Sequence, residues 1–208
     1  MNLSEQAAVL DFGKGEKRLK DFVRDNLWFS LCGLNCGLCP MKLDGHCPGC
    51  GGGEGNQSCK IAKCGIQHDK IEYCNQCQEF PCDKYGRADE YDIFITHRNW
   101  KQDFEKMKEM GVEAYNYAQR QKLEILELLL EGYNDGRRKS FFCLAVNLLD
   151  LEDLKTVMEH LAEEKKLESL TLKEKSAYVV KQFQSLAEQR GVVLKWNRKP
   201  SKPKNSLL

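Results

Sequence analysis

The stretch Cys32-Gly33-Leu34-Asn35-Cys36-Gly37-Leu38-Cys39-Pro40 decides how this chain is read. Three further cysteine groups follow it: Cys47-Pro48-Gly49-Cys50, then Cys59 and Cys64, then Cys74-Asn75-Gln76-Cys77-Gln78-Glu79-Phe80-Pro81-Cys82. Ten of the eleven cysteines therefore lie between Cys32 and Cys82; the other is Cys143. Such density leaves two options: the sulfurs pair with one another, or they hold metal. The chain shows no signal peptide, since Ala7–Leu10 is a very short apolar run that Asp11 ends. Nor does any segment approach the roughly 20 apolar residues of a membrane span. The expectation is a cytoplasmic protein without a membrane partner. There thiols stay reduced, and clustered cysteines bind metal more often than they form disulfides.

Residues 30–85 pose a folding problem that points the same way. They hold nine of the sixteen glycines and three of the five prolines. Their large apolar residues are few: Leu31, Leu34, Leu38, Met41, Leu43, Ile61, Ile66, Ile71, Tyr73, Phe80 and Tyr85. Ordering a residue costs roughly 1.5 kcal/mol, more than so thin a set covers. A structural zinc site contributes about 10–16 kcal/mol as folding energy. Zinc takes four thiolates tetrahedrally, and a Cys-x2-Cys turn brings two sulfurs to one ion while its amides face them. Cys36/Cys39, Cys47/Cys50 and Cys74/Cys77 have this form, and Cys47-Pro48-Gly49-Cys50-Gly51 has a zinc-knuckle composition.

All ten of Cys32, Cys36, Cys39, Cys47, Cys50, Cys59, Cys64, Cys74, Cys77 and Cys82 are candidate metal ligands, and two zinc ions are expected. Sequence order suggests Cys36, Cys39, Cys47 and Cys50 for one ion and Cys59, Cys64, Cys74 and Cys77 for the other. Cys32 and Cys82 are then spare or alternative ligands. Interleaved sets satisfy the spacing equally. Adding His46 and His68 would give enough donors for three ions.

Iron–sulfur chemistry is the alternative. Cys32-x3-Cys36-x2-Cys39 is the spacing with which radical S-adenosylmethionine enzymes hold a [4Fe–4S] cluster. Those enzymes need most of a β/α barrel after the motif, and this chain continues with cysteines and helices. A plain four-cysteine [4Fe–4S] cluster is the closer rival to zinc.

Taken together, Cys32-Gly-Leu-Asn-Cys36-Gly-Leu-Cys39-Pro40, Cys47-Pro-Gly-Cys50 and Cys74-Asn-Gln-Cys77-Gln-Glu-Phe80-Pro81-Cys82 resemble the domain of unknown function 3795 family. These are cysteine-rich proteins of bacteria and archaea to which zinc binding is ascribed. Arg98-Asn99-Trp100 through Met110-Gly111-Val112 to Gln121 resembles the family's helical continuation, so the likeness spans roughly residues 30–125. It implies metal binding and a microbial origin, and carries no reaction.

The remaining chain reads as mainly α. Residues 1–29 are expected as a helical lead-in, with Leu19, Phe22 and Val23 forming one stripe. Residues 30–85 form a small, loop-rich, zinc-knuckle-like module packed on an α-helical domain of residues 86–196. Trp100, Phe104 and Met107 mark one helix. A longer pattern runs from Val112 to Leu130, with Gly132 as its stop. Phe141, Leu144, Ala145 and Leu148 mark a third, where Cys143 reads as a small buried apolar residue. Asp150 is a candidate cap for the stripe Leu151, Leu154, Met158 and Leu161. Thr171 and Glu174 have capping-box spacing ahead of Val179, Val180, Phe183, Leu186 and Ala187, and Gly191 ends that helix. Val192–Leu194 reads as a short strand and residues 197–208 as a disordered tail.

Function is less legible. No His-Glu-x-x-His and no His-x-Glu with Pro-Cys-x-x-Cys occurs, and His97 and His160 read as surface residues. No catalytic residue is assigned, and the sequence points away from an enzyme. Nucleic acid is disfavoured. The formal net charge is +1, and residues 30–85 carry five Lys and no Arg against six Asp and Glu. The expectation is a zinc-stabilised binding or adaptor module with a protein partner. Iron–sulfur or thiol redox chemistry is the alternative.

Overall fold

Helical periodicity governs the second half of the chain. In the computed structural model, residues 22–53, 59–68, 71–86 and 88–200 are described. Among them the protein is mainly helical, and the one β feature is an isolated antiparallel bridge between Val23 and Gly52. No described helix is long and apolar enough to cross a membrane.

The cysteine-rich half contributes two short helices, α1 (Pro40–Leu43) and α2 (Lys60–Gln67), and two 3-10 turns, Cys36–Leu38 and Cys74–Gln76. The second half contributes α3 (Trp100–Met110), α4 (Val112–Tyr133), α5 (Lys139–Leu148), α6 (Leu151–Glu163) and α7 (Leu172–Gln189). Helix α5 buries every residue from Phe142 to Asn147, Cys143 included. It is the centre of a core to which α4 adds Leu126 and Leu129, α6 adds Leu154 and Leu161, and α7 adds Val179 and Phe183. Each fully buried aliphatic side chain there contributes roughly 1.5–3 kcal/mol of transfer free energy. Helix α7 starts where its sequence specifies. The Glu174 amide donates to Thr171 Oγ1 at 3.4 Å, and the Thr171 amide donates to the Glu174 carboxylate at 2.9 Å.

The module and the helices share their packing. Leu38 belongs to the core around α5. Phe29, Tyr73 and Tyr85 join Trp100, Phe104, Met107 and Tyr115 in an aromatic cluster. Tyr85 stacks on Trp100 at 4.2 Å between ring centres, and Phe29 meets Tyr115 at 4.8 Å. Gly33 lets this happen. At φ 89° it turns the loop back from Ser30, and a Cβ there would lie 2.7 Å from the Phe104 ring.

Several local expectations are corrected. Residues 22–29 are bent and partly bridged to Gly52 rather than helical, because Arg24 draws that segment into other loops; the rest of the lead-in lies outside the described residues. Gly132 does not stop α4, which runs to Tyr133; a single helical glycine costs only about 1 kcal/mol. Asp150 takes the N-cap position of α6 without bonding its amides, since its carboxylate pairs with Lys106. Val192–Leu194 is not a strand: Val192 and Leu194 pack on the helical core, and Arg98 donates to the carbonyls of Val193 and Lys195. Asn197 is tied down rather than disordered. Its amide donates to Asp92 Oδ2 at 2.8 Å and its carbonyl accepts from the Asp92 amide at 2.8 Å. Residues 201–208 lie outside the described residues. His97 is half-buried, with Nδ1 2.7 Å from the Ala88 carbonyl, whereas His160 is exposed.

A buried polar cluster joins α3, α4 and α5. Lys122 donates to the carbonyls of Leu149 (2.6 Å) and Asn147 (3.4 Å), which satisfies the C-terminal end of α5. Asn35 Nδ2 donates to Asp103 Oδ2 at 3.1 Å. Burial lifts the Asp103 carboxyl to about 6, against the pull of Lys122. Burial likewise drops Lys122 to about 8, opposed by Asp103. Unfolded, Asp103 loses its proton near pH 3.8; folded, it holds it to about 6. The folded state therefore binds the extra proton in that window, and stability falls as pH rises through it. Asp103→Asn keeps an acceptor for Asn35 and should remove this fall, worth at most ~3 kcal/mol. Urea midpoints of both proteins between pH 4 and pH 6 measure it.

Candidate metal centre

Loops with little regular structure carry the ten clustered sulfurs, so what holds the loops decides where the sulfurs sit. The main clamp is Arg24, 5% exposed. Its Nη1 donates to the carbonyls of Asn26 (2.9 Å), Phe29 (3.0 Å) and Cys50 (3.2 Å). Its Nε and Nη2 donate to the Glu72 carbonyl at 3.1 and 2.7 Å, and Nη2 pairs with the Glu72 carboxylate at 3.0 Å. Three stretches distant in sequence are thus fixed by one planar fork. Gly51, at φ 90°, passes so close that a Cβ would lie 2.7 Å from the Arg24 side chain.

All eleven cysteines are free. They fall into neighbourhoods that differ from sequence order. Cys32, Cys36, Cys50 and Cys59 form one: the charges of Cys50 and Cys59 act on Cys32, and those of Cys32 and Cys50 act on Cys36. Cys64, Cys74, Cys77 and Cys82 form another, lining one cavity of about 20 Å³ with Phe80 and Tyr85. That volume admits a single water-sized particle. Cys39 and Cys47 are neighbours, Cys39 also acts on Cys36, and Cys143 is close to Cys39. Cys32 and Cys82, spare in the sequence-order grouping, thus sit among other sulfurs, and Cys32 also acts on Cys74, which links the two neighbourhoods. His46 is exposed and His68 caps α2 half-buried.

Local backbone geometry turns N–H groups toward several sulfurs. Cys59 is the N-cap of α2 and its Sγ accepts from the Ala62 amide at 3.4 Å. Amides of Cys50, Leu31 and Leu34 serve Cys36, Cys50 and Cys32 respectively, and the Ser30 hydroxyl lies 3.1 Å from Cys32 Sγ. Cys39 takes the N-cap position of α1 without a capping hydrogen bond, with the amides of Met41 and Lys42 near its sulfur. Such N–H groups favour thiolate over thiol. Burial acts in the opposite direction and is the larger effect. It lifts Cys32 to about 11 and Cys74 to about 12, and raises Cys36 further. Neighbouring sulfurs add to each rise. Lys84 lies against Cys64 and Cys82, and the Tyr85 hydroxyl against Cys74.

The donors are soft, and several have N–H partners, which suits Zn²⁺ or an iron–sulfur cluster alike. Among the described residues, no group of three or more His, Cys, Asp and Glu side chains forms a ready-made coordination shell. The sulfurs share neighbourhoods and a cavity without converging on one point.

No family model matches the chain, and no curated protein or solved structure does either.

Arg24 escaped the sequence reading because its partners are backbone carbonyls up to 48 residues away. Arg24→Met should leave those carbonyls without their donor and destabilise the sulfur-bearing loops by ~3 kcal/mol. In limited proteolysis, cleavage should move to residues 22–86 while the helical circular dichroism persists. An unchanged digestion pattern would contradict the assignment.

Proposed function

We propose that the chain is a metal-binding protein whose clustered thiolates hold two zinc ions, and that it acts as a binding or adaptor unit for a protein partner rather than as an enzyme. One ion would take Cys32, Cys36, Cys50 and Cys59. The other would take Cys64, Cys74, Cys77 and Cys82. Cys39, which lies beside Cys36, and its neighbour Cys47 are left out of both sets. The observation that carries this reading is the gathering of four free cysteines, from helix α2, the turn at Cys74–Gln76 and the loop after it, around one cavity the size of a water molecule. Zinc bound there would cross-link loops that bury little apolar surface of their own. Each set offers four sulfur donors, which is the donor pattern of a structural site. The sequence resemblance to the domain of unknown function 3795 family agrees with metal binding.

Iron–sulfur binding is a second reading, favoured by the Cys32-x3-Cys36-x2-Cys39 spacing. Nucleic acid is not proposed, because the module carries more acidic than basic side chains. A cytoplasmic setting, in which the thiols stay reduced, belongs to the same proposal.

Anaerobic purification with elemental analysis tests it. The expected result is two equivalents of zinc and a colourless protein. Cys77→Ser should lose one equivalent, and Cys39→Ser should keep both. Chelation should expose residues 22–86 to protease while most of the helical signal remains. A brown, iron-containing protein would favour the second reading. Absence of metal, with full protease resistance after every cysteine is alkylated, would overturn both.

A further inference from the structure

The turn after Cys82 brings two further side chains to the cavity lined by Cys64, Cys74, Cys77 and Cys82. The Tyr85 amide donates to the Cys82 carbonyl at 3.0 Å, which folds Lys84 and Tyr85 back onto the sulfurs they follow. Lys84 then lies against Cys64 and Cys82, and the Tyr85 hydroxyl lies against Cys74.

Packing accounts for the ring of Tyr85 and leaves its hydroxyl over. The residue is 6% exposed. Its ring stacks on Trp100 and meets the Phe80 ring edge-on at 5.6 Å between centres. Phenylalanine would make both contacts. The hydroxyl completes no hydrogen bond, and burying it that way costs stability. The other tyrosines of the aromatic cluster keep theirs among polar side chains. Asn26 and Asn116 donate to the Tyr73 hydroxyl at 3.0 and 3.2 Å, and the Tyr115 hydroxyl lies beside Asp103 and Asn35. The groups that bear most on the Tyr85 hydroxyl are all sulfurs, Cys74 first, then Cys32 and Cys82. Native folds rarely keep such a buried donor without a use for it. Four thiolates on one divalent ion carry negative charge in excess, and an O–H beside one of them is a donor that this charge can use.

We infer that Tyr85 is a positioning residue of the Cys64, Cys74, Cys77 and Cys82 site, an assignment that rests on the zinc reading: its hydroxyl donates to the Cys74 sulfur when that sulfur is a metal-bound thiolate. The aromatic stack on Trp100 fixes the ring, so the hydroxyl is held at the sulfur before metal arrives.

Competition with a chromogenic chelator, on the full chain purified with its metal, is the test. Tyr85→Phe keeps the ring and should still carry two equivalents of zinc. It should surrender one of them at about tenfold lower chelator concentration than the wild type, the loss expected when a partner of a metal ligand is removed. With Co²⁺ in place of zinc, loss of the O–H···S bond should move the sulfur-to-cobalt charge-transfer band to longer wavelength, which altered ring packing alone would not do. In the Cys77→Ser background, where that site is lost, Tyr85→Phe should leave the remaining equivalent unchanged. Identical chelator curves for wild type and Tyr85→Phe, or weaker retention with an unmoved charge-transfer band, would overturn the inference and leave two bound zinc ions standing. A wild-type chain without thiolate-bound metal would overturn it together with the zinc reading.

Discussion

One buried guanidinium sets the frame in which the cysteine-rich half exists. Arg24 holds carbonyls of its own loop, of Cys50 and of Glu72, and meets the Glu72 carboxylate as well. A charge taken out of water is tolerated only when every donor is used, and here the fork is fully engaged. The positions of Cys32, Cys50 and Cys74 follow from it, because each lies within three residues of a clamped carbonyl or carries one. Apolar packing acts on loops that this polar staple also holds together.

The helical half shows how far a sequence can be read. Trp100, Phe104 and Met107 fall on one buried face of α3, as their spacing requires. The Thr171 and Glu174 pair caps α7 as its pattern specifies. Cys143 is buried among Phe142, Leu144 and Ala145, in keeping with its place in an apolar stripe. These features are local and need no knowledge of the rest of the fold. What escaped is non-local. Sulfurs fifteen or more residues apart are grouped by the path of loops, so Cys32 neighbours both Cys59 and Cys74. The bond between Asn197 and Asp92 joins residues 105 apart and leaves no periodic trace. Val23 and Phe22 looked like a helical stripe, yet Val23 is exposed and bridged while Phe22 is buried with Leu31 and Ala62.

Helix α4 has three tasks, which explains its mixed surface. It packs against α3, α5, α6 and α7 and also against the turn Cys36–Leu38. Leu126 and Leu129 serve the main core, Tyr115 serves the aromatic cluster, and Asn116 with Gln119 faces the loops. Lys122 lies between these uses and closes the end of α5. A helix so shared transmits disturbance: displacement of the turn bearing Cys36 is felt at Leu38, and hence in the core around Phe142.

The C-terminal strap has a comparable reach. Asn197 grips Asp92, Arg198 donates to the Ile93 carbonyl, and Arg98 holds the strap from the other side. The loop they secure presents the Phe94 carbonyl to Cys39 Sγ at 3.8 Å. Asn197 and Arg198 therefore help shield a sulfur more than 150 positions upstream. A protease that trims the chain end, or a fusion that pulls it away, would uncover that thiol to oxidants without touching the segment that contains it.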